Sequence, residues 1–393
     1  MIDYKDINGL EIEVSSLCNA LCPQCGRRWL GGVKNPLLVE KYITLQNIKD
    51  WLSVDFIKQL NNIEMCGNYG DAMTNPDLVP ILQYIKSINP LIRFYMNTNA
   101  SGRDAEFWKD LGEVFKENGT LVFSVDGLED TNWIYRKGTK WDMIMTAMKS
   151  YISTGANARW EFLVFRHNQH QIEEARALSK ELGFEMFSPK RAMGFREENN
   201  QYNMHVRGTK GEYQYTIKPP IDVETKNLDP SQDNRNLGKG EYYINSEENP
   251  DLNMGYIKDI KSQLETESQD IAFFPMSRYL ESSTLSSRDK KLGKANIQCK
   301  AIDKKHLFIN SKGYVFPCCW TASMYEQPDS DLSLPLKNFV NNYGKEKISL
   351  HHTALKDIVD GDMYTNKWIE SFKDRDFRNK RLKVCSMFCG VKT

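Results

Sequence analysis

Apolar residues recur along the first half of the chain in two alternating rhythms. Short β-rich runs at residues 10–14, 63–66, 92–96, 121–125, 160–165 and 184–187 have the length and composition of buried strands. Between them Ile48, Leu52, Phe56, Ile57 and Leu60, then Leu78, Ile81, Leu82 and Ile85, and later Met143, Ala147, Met148 and Tyr151 lie at the spacing of one helical face. Residues 172–182 repeat the unit and end at Gly183, placed as a left-handed cap. Strands alternating with crossover helices predict an α/β fold with a parallel sheet. Its chemistry belongs at the carboxyl ends of the strands.

The rhythm stops near Pro189. Residues 191–295, with a Pro219-Pro220 pair and a polar tract over 227–253, read as a bridging segment or insertion with limited structure of its own. Residues 306–310 and 314–317 predict a hairpin around Ser311-Lys312-Gly313, and a helical stretch follows over 354–372. The expected organisation is 1–190, 191–295 and 296–393.

Composition narrows the class. The 393 residues are 40% hydrophobic and 26% charged, as in ordinary globular domains. Fifty-two basic residues balance 52 acidic ones, so no nucleic-acid or membrane partner is expected from charge. No apolar run is long enough to cross a bilayer and no signal peptide opens the chain, so the expected location is the cytoplasm. Nine cysteines in such a compartment point to ligation before disulfides.

Three of them, Cys18, Cys22 and Cys25, follow the first strand with the spacing Cys-x3-Cys-x2-Cys. Three thiolates can hold three corners of a four-iron cubane and leave the fourth iron open to an exogenous ligand. A zinc knuckle is the competing reading. The run SSLCNALCPQCGR resembles the cluster loop of radical S-adenosylmethionine (SAM) enzymes, in which the open iron of a [4Fe-4S] cluster binds SAM and its reductive cleavage yields a 5′-deoxyadenosyl radical. Gln24 stands where that family often has an aromatic residue, and its main chain is the expected adenine contact. Gly70-Asp71-Ala72 resembles the family's Gly-Glu-Pro motif for the SAM amino group, and Asn99 lies in a run similar to its Thr-Asn-Gly, with Ala100 in the glycine position. Ser124-Val125-Asp126-Gly127 with downstream Arg136 resembles the Ser and Arg pair that binds the SAM carboxylate. The resemblance implies a partial (β/α)6, TIM-like barrel of radical SAM type.

Cys299 and Cys318 flank the expected hairpin, and Cys385-x3-Cys389 comes last. Cys-x13-Gly-x4-Cys followed by a distant pair resembles the SPASM and Twitch domains of the same enzymes. With five cysteines in the region, the resemblance implies one auxiliary [4Fe-4S] cluster on Cys299, Cys318, Cys385 and Cys389. Cys319 competes with Cys318, and four-thiolate zinc is the alternative. Only 17 residues precede Cys18, so a leader-binding module ahead of the barrel is not expected. A small molecule is therefore the first substrate class, with peptide or protein modification second. A one-electron reductant such as flavodoxin or ferredoxin is implied. The reading from another class is a non-enzymatic iron–sulfur carrier or sensor. No catalytic acid or base is assigned.

Overall fold

The computed structural model describes residues 3–192, 194–198, 201–221, 258, 260, 262, 293–330, 332–375 and 381–391. The first six strands are β1 (Gly9–Ile12), β2 (Asn62–Met65), β3 (Arg93–Thr98), β4 (Gly119–Ser124), β5 (Asn157–Val164) and β6 (Met186–Arg191). The crossover helices include α1 (Leu45–Trp51), α2 (Val54–Gln59), α3 (Leu78–Ile88), α4 (Ala105–Phe115), α5 (Asn132–Tyr135), α6 (Trp141–Ile152) and α7 (Ile172–Leu182). This is the succession of a partial (β/α)6 barrel. Three further strands follow, β7 (Arg196–Glu198), β8 (Gln201–Arg207) and β9 (Tyr213–Ile217), then β10 (Asn296–Ile297), β11 (His306–Ile309), β12 (Val315–Phe316) and β13 (Gly390–Val391).

The chain divides into two compact units. One comprises Met1–Leu17, Pro36–Met96 and Phe273–Thr393. In it β1 pairs in parallel with both β2 and β11, and β2 with β3, while β11 and β12 form the antiparallel hairpin. Leu10, Ile12 and Val14 are buried on the core face against Ile48, Leu52, Ile81, Leu82 and Ile85. Side chains two apart along a strand share a face, so the same alternation puts Glu11 and Glu13 on the opposite one. Thr44 and Asn47 form a capping box that starts α1, and Ser53 caps α2.

The other unit comprises Cys18–Asn35 and Asn97–Ala272. There β4, β5 and β6 run parallel, with Trp160 and Phe162 buried on one face of β5 and Glu161 on the other, paired with Lys190 at 2.5 Å. Gly183 closes α7 at φ 92°, the left-handed cap its position predicts.

Two elements differ from the expectation. Residues 196–217 hold the three-stranded antiparallel sheet β7-β8-β9, in which Met204, Val206, Tyr215 and Ile217 are buried, whereas the polar tract 227–253 lies outside the described residues. The helical stretch 354–372 is divided into Leu355–Val359, a π-type turn Met363–Lys367 and Trp368–Lys373. The break falls at Gly361, where a Cβ would meet the Asp357 carbonyl and the Tyr343 hydroxyl at 3.0 Å. No described helix is long and apolar enough to cross a membrane.

Candidate active site and auxiliary metal centre

The cysteine loop begins one residue after Leu17. Cys25 N–H donates to the Cys22 carbonyl and Arg28 N–H to that of Cys25, turns that wind the three thiols along one short segment. Cys18 Sγ accepts from Ala20 N–H at 3.4 Å and from Asn99 Nδ2 at 3.5 Å. Asn99 is itself fixed: its Nδ2 also donates to Asn19 Oδ1, and its Oδ1 accepts from Ser101 N–H. The next residue, Ala100, has φ 59°, the left-handed conformation for which glycine is usual. Cys22 is 8% exposed, and burial pushes its thiol up to about 11 against the pull of Arg136, whose Nη1 lies 4.0 Å from Cys22 Sγ.

Arg136 is shared. Its Nε donates to Asp126 Oδ2 at 2.5 Å, while Asp126 Oδ1 accepts from Leu163 N–H at 2.6 Å. Asp126 is fully buried and internally satisfied; burial pushes its carboxyl up against the pull of Arg136, and Asp126 in turn holds the guanidinium protonated. Two residues on from Ser124, Asp126 shares its strand face, but the carboxylate is taken up by the ion pair with Arg136. Ser124, at the end of β4, stays half-buried beside Glu161 in the β5 register. Gln24 Oε1 accepts from Tyr135 Oη at 2.9 Å, and Tyr135 packs on Phe165 at 4.5 Å between ring centroids. These rings and Cys22 share one apolar cluster, against which Cys18 and Cys25 pack. Phe165 stacks on His167, which burial pushes down to about 3, leaving a neutral ring whose two nitrogens have no hydrogen-bond partner among the described residues.

The glycine-rich loop lies in the other unit. Gly67, at φ 60°, starts it, and Gly70 packs so closely on Ser15 that a Cβ there would lie 1.8 Å from the Ser15 carbonyl. Asp71 N–H donates to the Leu17 carbonyl, and the Asp71 carboxylate caps Met73 N–H. Glu13 gathers the loop from below: its Oε1 accepts from the N–H groups of Asn68, Tyr69 and Gly70 at 2.8, 2.7 and 3.3 Å. From above, Asn68 Nδ2 donates to the Cys319 carbonyl and Tyr69 Oη to that of Ser323, while Gln327 Nε2 donates to Tyr69 Oη. Asn68 and Tyr69 lie in the glycine-rich run, but Glu13 belongs to no motif; its one available signal was a carboxylate among the apolar residues of the first strand.

Glu13 carries a pH dependence. Burial pushes its carboxyl from 4.5 up to about 7, overcoming the three N–H donors, with Glu326 adding repulsion. The folded protein therefore binds a proton that the unfolded chain has already lost between about pH 4.5 and 7, and stability falls as pH rises through that window. Glu13→Gln retains the acceptor and cannot ionise. Its advantage over the native chain in denaturant unfolding should grow by about 2–3 kcal/mol from pH 5 to pH 8. Parallel pH profiles would remove Glu13 as the source.

The four late cysteines meet. Cys299, Cys318, Cys385 and Cys389 line one cavity, walled by Ile297, Pro317, Trp320, Trp368, Phe372 and Phe388 among others. The Cys299 thiol donates to Cys389, which pushes Cys389 down to about 6 and holds the proton on Cys299. Cys319 points elsewhere: it does not line the cavity, and its thiol interacts with Glu11 and is affected by Cys66. Among the described residues no three His, Cys, Asp or Glu side chains converge on the geometry of a single metal ion. A cubane makes no such demand, because each thiolate binds its own iron corner, and the four sulfur donors of this cavity suit one.

Residues 299–390 match the family model of SPASM, an iron-sulfur cluster-binding domain. Among solved structures the chain is similar to SuiB of Streptococcus suis, at 16% identity and TM-score 0.43, over 80% of this chain and 60% of that one. It is similar to anSMEcpe with bound AdoMet, at 13% identity and TM-score 0.46, over 96% and 84% of the two chains. BtrN in complex with AdoMet and 2-DOIA is similar at 11% identity and TM-score 0.41, over 97% and 92%. The chain thus spans 60% of the length of the SuiB structure. No curated protein matches it significantly in sequence.

Proposed function

We propose that this chain, whose residues 299–390 match the SPASM iron–sulfur cluster-binding domain, is a radical SAM enzyme that cleaves SAM at a [4Fe-4S] cluster on Cys18, Cys22 and Cys25 and removes a hydrogen atom from an organic substrate. The observation that carries the reading is the pairing of a three-thiol loop, one ligand short of a closed cubane, with a separate cavity lined by four thiols. When bound, SAM and the open cluster supply a 5′-deoxyadenosyl radical.

The chain's own residues do the rest. Asn99 orients Cys18 and Arg136 places positive charge beside Cys22, which favours thiolates there. Asp126 fixes the Arg136 Nε edge, so the remaining guanidinium N–H groups are held ready for the SAM carboxylate, with Ser124 beside them on the strand end. Tyr135 holds the Gln24 side chain and leaves its main chain to adenine. Gly70 and Asp71 carry the assignment to the SAM ammonium. Cys299, Cys318, Cys385 and Cys389 would hold the auxiliary cluster, which would supply an acceptor for the electron left after hydrogen abstraction, and a flavodoxin or ferredoxin would be the reductant of the first cluster.

Anaerobic reconstitution tests the ligand sets. The native chain should hold about eight irons, Cys318→Ala about four and Cys319→Ala about eight. A loss in Cys319→Ala with none in Cys318→Ala would reverse the assignment. The substrate class, small molecule first and peptide second, is decided by isotope transfer: 5′-deoxyadenosine should gain deuterium from a deuterated small-molecule pool. Gain only from a deuterated peptide pool would make the chain a peptide maturase, and no 5′-deoxyadenosine at all would leave a carrier or sensor.

A further inference from the structure

The wall of the thiol-lined cavity carries a hydrogen-bond donor that no described residue answers, and a second stands close by. Trp368, 2% exposed, lines the cavity at the start of the helix Trp368–Lys373, and its buried Nε1 has no acceptor among the described residues. Tyr364, 4% exposed, sits one helical turn earlier, and its buried hydroxyl likewise has no partner among the described residues. It lies within electrostatic range of Cys318. An indole N–H can only donate, and leaving such a group buried without an acceptor costs about 1–3 kcal/mol.

No described wall residue supplies that acceptor. Apart from the four thiols, the one wall side chain that can accept is Thr321, and its hydroxyl is engaged locally with the Cys318 carbonyl at 2.8 Å and with Cys318 Sγ at 3.6 Å. The rest is apolar, and Trp320 stacks on Phe388 at 3.8 Å between centroids. Water has few partners in such a space. The acceptor is therefore what fills the cavity, and sulfur carrying negative charge is the chemistry the thiols select.

We propose that Trp368 and Tyr364 donate hydrogen bonds to the sulfurs of the auxiliary cluster and thereby raise its reduction potential. The inference rests on the cluster reading above and extends it to the electronic tuning of that site. Reduction adds one electron to the cluster and increases negative charge on its sulfurs, so N–H and O–H donors favour the reduced form. A cluster tuned this way is a better acceptor for the substrate's electron.

Redox titration of the full-length chain, followed spectroscopically in a Cys22→Ala background, isolates the auxiliary cluster. Trp368→Phe and Tyr364→Phe should each retain about four irons and titrate at a more negative potential. For Trp368→Phe the expected change is about tenfold in the ratio of reduced to oxidised cluster at the native midpoint, or about 59 mV for one electron. Phe372→Leu, which alters the wall without removing a donor, should leave the midpoint in place. Unchanged midpoints in both donor variants at full iron, or an equal shift in Phe372→Leu, would overturn the proposal. A Cys22→Ala chain that binds zinc or no metal would instead overturn the cluster reading beneath it.

Discussion

Replacing Gly70 by Ala should destabilise the chain by about 3 kcal/mol or more, measured by denaturant unfolding. The added Cβ would stand 1.8 Å from the Ser15 carbonyl oxygen, 2.5 Å from its carbon and 2.7 Å from Ser16 Cα, all main-chain atoms. Neither side can yield cheaply. Ser16 is pinned by Ser16 N–H donating to the Lys41 carbonyl and by its hydroxyl, and the glycine loop is pinned by Glu13, Tyr69 and the Asp71 to Leu17 bond. Gly155→Ala provides the contrast. Gly155 has φ 81°, but the nearest atom to its Cβ is 3.9 Å away, so only conformational strain of about 1–2 kcal/mol applies. Equal losses in the two variants would mean that the approach of Gly70 to Ser15 is not what holds this loop.

Arg136→Ala should cost about 3–5 kcal/mol at neutral pH, because it strands a fully buried carboxylate rather than merely removing a contact. Asp126 would keep Leu163 N–H as a donor but lose its counter-charge. An unpaired buried carboxylate favours its protonated form, so the folded-state pKa rises further and the deficit should shrink as pH falls. Adding Asp126→Asn to Arg136→Ala should recover part of the loss at pH 7 for the same reason. If the double variant is no more stable than Arg136→Ala, the pair is not the source of the effect.

The parallel strands and their helices were legible because each element repeats its own period for long enough to be counted: Leu10, Ile12 and Val14 face one way, and Leu78, Ile81, Leu82 and Ile85 share a face. The cysteine spacings are visible in the sequence because a short loop with three thiols carries its candidate chemistry in the chain itself. Choosing between Cys318 and Cys319 needed three dimensions, because adjacent residues differ only in direction, and here one turns to the cavity and the other to Glu11. The β8–β9 hairpin was hidden by its polar composition, although Met204 and Val206, and Tyr215 and Ile217, alternate with period two. Glu13 lies outside any motif, and the positions of Tyr69 in the glycine-rich run and Trp368 in the late helix carry no sign of their roles. Their importance comes from partners far away in sequence, or from the want of one, and no local pattern encodes either.

The central claim is that the amino-terminal loop holds a cluster whose remaining iron corner is free for SAM, and one assay addresses it directly. Native chain and Cys18→Ala, both reconstituted and reduced without oxygen, are incubated with SAM and analysed for 5′-deoxyadenosine and methionine. The account predicts both products from the native chain and neither from Cys18→Ala, which should still retain the about four irons of its auxiliary cluster. Undiminished cleavage by Cys18→Ala, or none by a native chain carrying its full iron, would contradict it.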